Sequence, residues 1–118
     1  MVGMRWARLR VDLNLQMRRG AWYRIKDVGP LEAVVEVNRA ALPVPAAFLQ
    51  IVNAPPRRWT VVPRPRNAVR MPENWVRYAV CPSCRERAGL VRHPATMDCP
   101  RCKGSFEIGW DEGYRPAI

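Results

Sequence analysis

From residue 8 to residue 17 apolar and polar side chains alternate without a break. Leu9, Val11, Leu13, Leu15 and Met17 face Arg8, Arg10, Asp12, Asn14 and Gln16, and this period of two predicts a half-buried strand. Arg18, Arg19 and Gly20 turn the chain, residues 21–26 resume extended structure, and Val28, Gly29 and Pro30 turn it again. A third strand is predicted over 33–37, with Ala33, Val35 and Val37 on one face. After a turn at 38–41, residues 42–44 can form only a short edge strand, because proline brings no N–H to a ladder. Residues 46–48 suit one helical turn and residues 49–52 a last strand. No segment keeps a 3.6-residue period for more than about two turns, so the chain reads as mostly β.

Prolines then crowd the stretch from Asn53 to Asn74. They forbid helix and central strand, so residues 54–76 read as a Pro/Arg-rich extended linker with a possible short strand at 59–62. The organisation expected over the 118 residues is a small β barrel at 1–53, this linker at 54–76, and a second module at 77–118.

The second module carries the most specific chemistry. Cys81-Pro82-Ser83-Cys84 and Cys99-Pro100-Arg101-Cys102 are two C-P-x-C turns separated by the 14 residues 85–98. Two thiolates three positions apart on a tight turn grip one metal ion, and a second such turn completes a tetrahedral shell with Zn–S distances of about 2.3 Å. Cys81, Cys84, Cys99 and Cys102 are therefore the expected ligands of one structural zinc ion. Four thiolates leave no open position for water or substrate, which argues against a catalytic metal. His93, inside the spacer, can chemically replace a cysteine; an exposed hairpin-tip position is the preferred reading. Glycine just past the second cysteine of a knuckle relieves crowding, and here Gly104 follows Cys102 at a distance of two, with Arg85 and Glu86 in the equivalent places after Cys84.

These residues resemble a zinc ribbon over about 77–110, with a hairpin between the knuckles and a following strand at 105–108 that sets Phe106 and Ile108 on one face. At the other end, Gly20-Ala21-Trp22-Tyr23-Arg24-Ile25 is similar to the G-x-W-W/Y strand of SH3-like barrels. Residues 44–52 (proline, 3₁₀ turn, aromatic, last strand) resemble their closing element. In peptide-binding members the matching Trp22, Pro45 and Phe48 help line a groove. The acidic loop that accompanies such a groove has no counterpart here, so the resemblance implies the barrel and not the peptide site. The fold class expected is a small SH3-like barrel, an extended linker and a Cys₄ zinc ribbon.

Charge changes the picture next. Twenty basic residues against ten acidic give a net charge of +10, and the excess sits in residues 1–72, with 13 basic against 4 acidic. Eighteen of the twenty are arginine, which together with 12 prolines also fits the output of a G+C-rich genome. Codon bias exchanges Lys for Arg but does not create a surplus of positive charge. A surplus of this sign suits nucleic acid. Arg57, Arg58, Arg64, Arg66 and Arg70, with Trp59 interleaved, are the candidate contacts, because arginines clamp phosphates while exposed indoles stack on bases. The alternative for Trp59 and Trp75 is that they anchor the segment to its flanking modules.

The chain has no Gly-rich phosphate loop, no G-x-S-x-G and a single histidine, so no enzyme, and no small-molecule substrate, is expected. There is no apolar run long enough to span a membrane and no export signal at the N-terminus, so a reducing cytoplasm is expected and disulfides are not. Two functions remain. The first is a non-enzymatic nucleic-acid-binding accessory protein, contacting RNA or DNA through barrel and linker. The second is an adapter or small subunit of a protein complex, using the ribbon and the Pro/Arg segment.

Overall fold

The structure is a computed structural model that describes residues 3–11, 15–65 and 71–116. Its described residues form ten strands: β1 (Trp6–Leu9), β2 (Tyr23–Val28), β3 (Glu32–Val37), β4 (Ala40–Pro45), β5 (Leu49–Val52), β6 (Arg58–Pro63), β7 (Arg77–Val80), β8 (Arg87–Leu90), β9 (Thr96–Asp98) and β10 (Ser105–Ile108). The helical residues among those described are two 3₁₀ turns, Ala46–Phe48 and Trp110–Glu112. No helix among the described residues is long and apolar enough to cross a membrane. The strands divide into two compact units, one within residues 1–56 and one within residues 57–115.

In the first unit the strand order is β4-β3-β2-β1-β5, all antiparallel, and the sheet curls into a half-barrel. A register shift between Ile25 and Asp27 puts a bulge in β2, a feature that bends a strand and raises its twist. The alternation read from the sequence holds in β3, where Ala33, Val35 and Val37 are all buried. Asn38 and Arg39 form the β3–β4 turn with φ of 51° and 67° between paired Val37 and Ala40. Two successive left-handed residues make the tight hairpin turn that matches strand twist. The edge strand expected only at 42–44 is longer, β4 running over Ala40–Pro45 and taking in two residues of the expected turn as well as Pro43 and Pro45; residues 46–48 form the expected 3₁₀ turn before β5.

The long first strand is corrected. β1 pairs with β2 at Trp6 and Ala7 and with β5 from Trp6 to Leu9, residues 15–17 bend, and Asp12, Leu13 and Asn14 lie outside the described residues. Ala7, Arg8 and Leu9 of β1 are all buried, so side chains on both faces of the strand are covered there. Arg8, assigned to the polar face by alternation, is 3% exposed. Its Nε donates to Gln50 Oε1 at 2.8 Å and its guanidinium carbon lies 4.4 Å from the Trp22 ring centroid. Burial of an arginine is tolerable only with such partners.

In the second unit the order is β8-β7-β6-β10-β9. Two hairpins, β7–β8 and β9–β10, flank β6, which pairs antiparallel with β7 (Thr60↔Val80 to Pro63↔Arg77) and parallel with β10 (Glu107↔Arg58, Ile108↔Trp59). The linker expected at 54–76 is corrected on this point. Residues 58–63 are the central strand of the second sheet. Its one proline, Pro63, stands at the strand's last position, where a missing N–H costs little. The hairpin expected between the knuckles is also absent, because β8 and β9 lie at opposite edges of the sheet. Trp59, Ala79, Cys81, Leu90, Cys99 and Ile108 form the core of this unit, with Phe106, Met97 and Trp110 packed against it.

Candidate metal centre and the basic residues

Each C-P-x-C turn closes a hairpin, and the two turns are built alike. The N–H of the first cysteine donates to the carbonyl five residues on, Cys81 to Glu86 at 2.9 Å and Cys99 to Gly104 at 2.7 Å. Its carbonyl accepts from the N–H four residues on, Arg85 at 3.2 Å and Lys103 at 3.0 Å. Closing the loop this tightly forces the residue after the second cysteine into the left-handed region, and Arg85 and Lys103 both have φ of 67°. The relief expected at Gly104 therefore falls one residue earlier, on two non-glycine residues. Gly104 answers a different need, since a Cβ there would come within 2.6 Å of the Phe106 ring.

The turns bring Cys81, Cys84, Cys99 and Cys102 together with all four Sγ atoms within 4.8 Å of one another. Cys81 Sγ lies 3.7 Å from Cys102 Sγ, and Cys84 Sγ lies 3.5 Å from Cys99 Sγ. A tetrahedron with metal–sulfur bonds of about 2.3 Å has edges of about 3.8 Å, so these separations fit one shared ion. All four are free thiols. Burial pushes the Cys81 thiol up to about 12 and raises that of Cys84. Burial also raises Cys99, but the N–H groups of Cys102 and Arg101 and the neighbouring cysteines outweigh it and bring that thiol down to about 7. Four sulfurs this close cannot all ionise against one another, whereas a cation at their centre stabilises every thiolate at once. The group can hold one metal ion. His93 stands apart from it, exposed and stacked on Trp110 with centroids 3.8 Å apart and planes 14° from parallel.

No family model, no curated protein and no solved structure matches this chain.

The candidate nucleic-acid contacts are not brought together. Trp59 is 0% exposed, its indole N–H donates to the Met97 carbonyl at 2.9 Å, and its ring meets Phe106 edge-on. It cannot stack on a base; it is a core side chain of the second unit, within the central strand and not on a linker. Trp75 is half-buried and lies where a Cβ on Gly89 would stand. Arg58 pairs with Asp111. Arg64 reaches three backbone carbonyls, Pro72 at 2.6 Å, Trp75 at 3.0 Å and Met71 at 3.2 Å, and so pins the loop that leads into β7. Arg57 is exposed, while Arg66 and Arg70 lie outside the described residues. Arg77, the last arginine of the run that begins at Arg57, shares one cleft with Trp110, Tyr114 and Arg115 of the C-terminal segment. Those three lie more than thirty positions further on, in a stretch whose sequence reads as a solvated tail.

Proposed function

We propose that the chain is a non-enzymatic nucleic-acid-binding accessory protein whose second unit is a zinc ribbon. Zinc suits four soft thiolates in tetrahedral array and needs no ligand-field preference. Bound there, it would supply folding energy to a small unit and neutralise the thiolates. The first unit is read as an SH3-like barrel. Its strand order, its 3₁₀ turn before β5 and the return of β5 to β1 support that reading, while Trp22, buried beneath Arg8, offers no open groove.

The observation that carries the nucleic-acid reading is the exposure of the charge. Arg5, Arg24, Lys26 and Arg39 are exposed in the first unit, and Arg57, Arg77, Arg92, Arg101, Lys103 and Arg115 in the second. Residues 57–115 alone hold 12 basic against 6 acidic residues, a net of +6. Such surfaces attract phosphates through counterion release. The second reading is an adapter docking on a protein partner; the exposed Leu31 of the first unit and Val76 and Val91 of the second are single apolar positions of the kind any surface carries.

Two measurements test the proposal. Metal analysis of the purified chain should return one zinc per molecule and no visible absorption from iron. Cys99→Ser should lose that zinc and unfold the second unit; a variant that kept a full equivalent and its fold would refute the four-cysteine assignment. Anisotropy binding to labelled RNA and DNA at about 50 and about 200 mM salt should show affinity falling by roughly 10³-fold or more for six to ten phosphate contacts. Absence of binding at low salt would leave the adapter reading.

A further inference from the structure

Beside Trp110 the second unit carries a cleft of about 140 Å³, walled by Val61 and Pro63 of β6, Arg77 of β7, and Trp110, Tyr114 and Arg115 from the C-terminal segment. Arg77 stands directly across from Pro63 in the β6–β7 register, and its guanidinium carbon lies 4.9 Å from the Trp110 ring centroid. Trp110 is itself held firmly, by its indole N–H on the Pro94 carbonyl at 2.7 Å and by the stacked ring of His93. A guanidinium resting on an aromatic face keeps its N–H donors unused. Arg77 is thus oriented without being satisfied.

Among the described residues no carboxylate pairs with Arg77 or Arg115. Asp111 is taken by Arg58, and the Glu112 carboxylate lies close against Gly109 in the cleft wall. Two arginines against one carboxylate leave the cleft positive. Its size decides what it can accept. Small-molecule sites run to about 300–1,000 Å³, so this cleft admits a phosphate group but not a whole nucleotide, and the rest of the ligand must continue along the surface.

We propose that this cleft seats one backbone phosphate of a single-stranded nucleic acid, clamped by Arg77 and Arg115, with Tyr114 stacking on the adjoining base. The inference deepens the nucleic-acid reading above and rests on it. Guanidinium pairs grip phosphate oxygens bidentately, and an aromatic lining the cleft favours unpaired bases, because a base within a duplex has no free face. Trp110 is a positioning residue that holds Arg77.

The test uses the zinc-loaded full chain and labelled single-stranded RNA, single-stranded DNA and duplex DNA at two salt concentrations. Wild type should prefer the single strands, with RNA against DNA settled by the two arms. R77A/R115A should weaken binding by at least about tenfold and lower the salt slope by about 0.7, the share of the one single-strand phosphate contact that is lost. Y114A should weaken it about 5- to 100-fold, while Y114F, which keeps the stacking face, should bind as wild type. R77K/R115K keeps the charges and guards against misfolding; it should retain the salt slope and lose the bidentate part of the affinity. Wild-type binding unaltered by R77A/R115A overturns the cleft and leaves the nucleic-acid reading standing. Failure of wild type to bind any strand overturns both. Equal competition by an acidic peptide of matched charge overturns the phosphate assignment in favour of a protein ligand.

Discussion

Replacing Trp59 by Phe separates a core role from a binding role more cleanly than any other single change. The substitution removes the indole N–H and leaves without that donor the half-buried Met97 carbonyl it bonds at 2.9 Å, a loss of about 1 kcal/mol. It also removes three heavy atoms from a fully buried site, worth about 0.8 kcal/mol for each buried carbon, and disturbs the edge-on contact with Phe106 at 6.5 Å. The terms overlap and do not add strictly, so the expected loss is about 2–4 kcal/mol. For a unit this small, that lowers the melting temperature by more than about 8 °C. The assay is thermal unfolding of the zinc-loaded chain, followed by circular dichroism and by the amide signals of Ala79 and Ile108, which report the second unit. Nucleic-acid affinity, measured well below the transition, should be unchanged. A stability change under about 0.5 kcal/mol, or a clear loss of affinity with the fold intact, would show that the ring is reachable from solvent and refute the reasoning.

Three further outcomes are expected. Gly89→Ala should destabilise the second unit by about 1–3 kcal/mol, because the new Cβ would meet the rigid Trp75 indole at 2.2 Å; denaturant melts should show the cost partly recovered in Gly89→Ala/Trp75→Ala. Arg39→Val should cost about 1–2 kcal/mol by the same assay although the residue is exposed, since φ of 67° is strained for any L-residue and worst for a β-branched one. The guanidinium of Arg58 holds the Asp111 carboxyl below its ordinary value. The stabilisation from this pair is therefore present above the ordinary carboxylate range and fades as pH falls through the lowered value. A carboxyl-carbon NMR titration should place Asp111 below the ordinary aspartate value, and Arg58→Ala should return it toward that value.

Local chemistry was legible wherever a few consecutive residues decide the outcome. Ala33, Val35 and Val37 alternate because a strand has period two, and they are buried accordingly. Each C-P-x-C turn predisposes its own two sulfurs, and the Pro45-Ala46-Ala47-Phe48 stretch forms its 3₁₀ turn from short-range bonds. The strand β6 was hidden for the opposite reason. Its partners are β7, more than a dozen residues on, and β10, a parallel neighbour about fifty residues away, and neither pairing leaves a periodic trace within a proline-rich stretch.

The candidate site divides along the same line. The sequence alone determined the four cysteines, their grouping in twos and the surplus of positive charge, since these are properties of composition and spacing. Only the tertiary structure decided which basic and aromatic side chains remain available. Ladder pairing drew Trp59 into the core, Arg58 to Asp111 and Arg64 onto three carbonyls, and it gathered Arg77, Trp110, Tyr114 and Arg115 around one cleft. A side chain's availability depends on what the fold places against it, and that information lies in the partners, not in the residue's own neighbours along the chain.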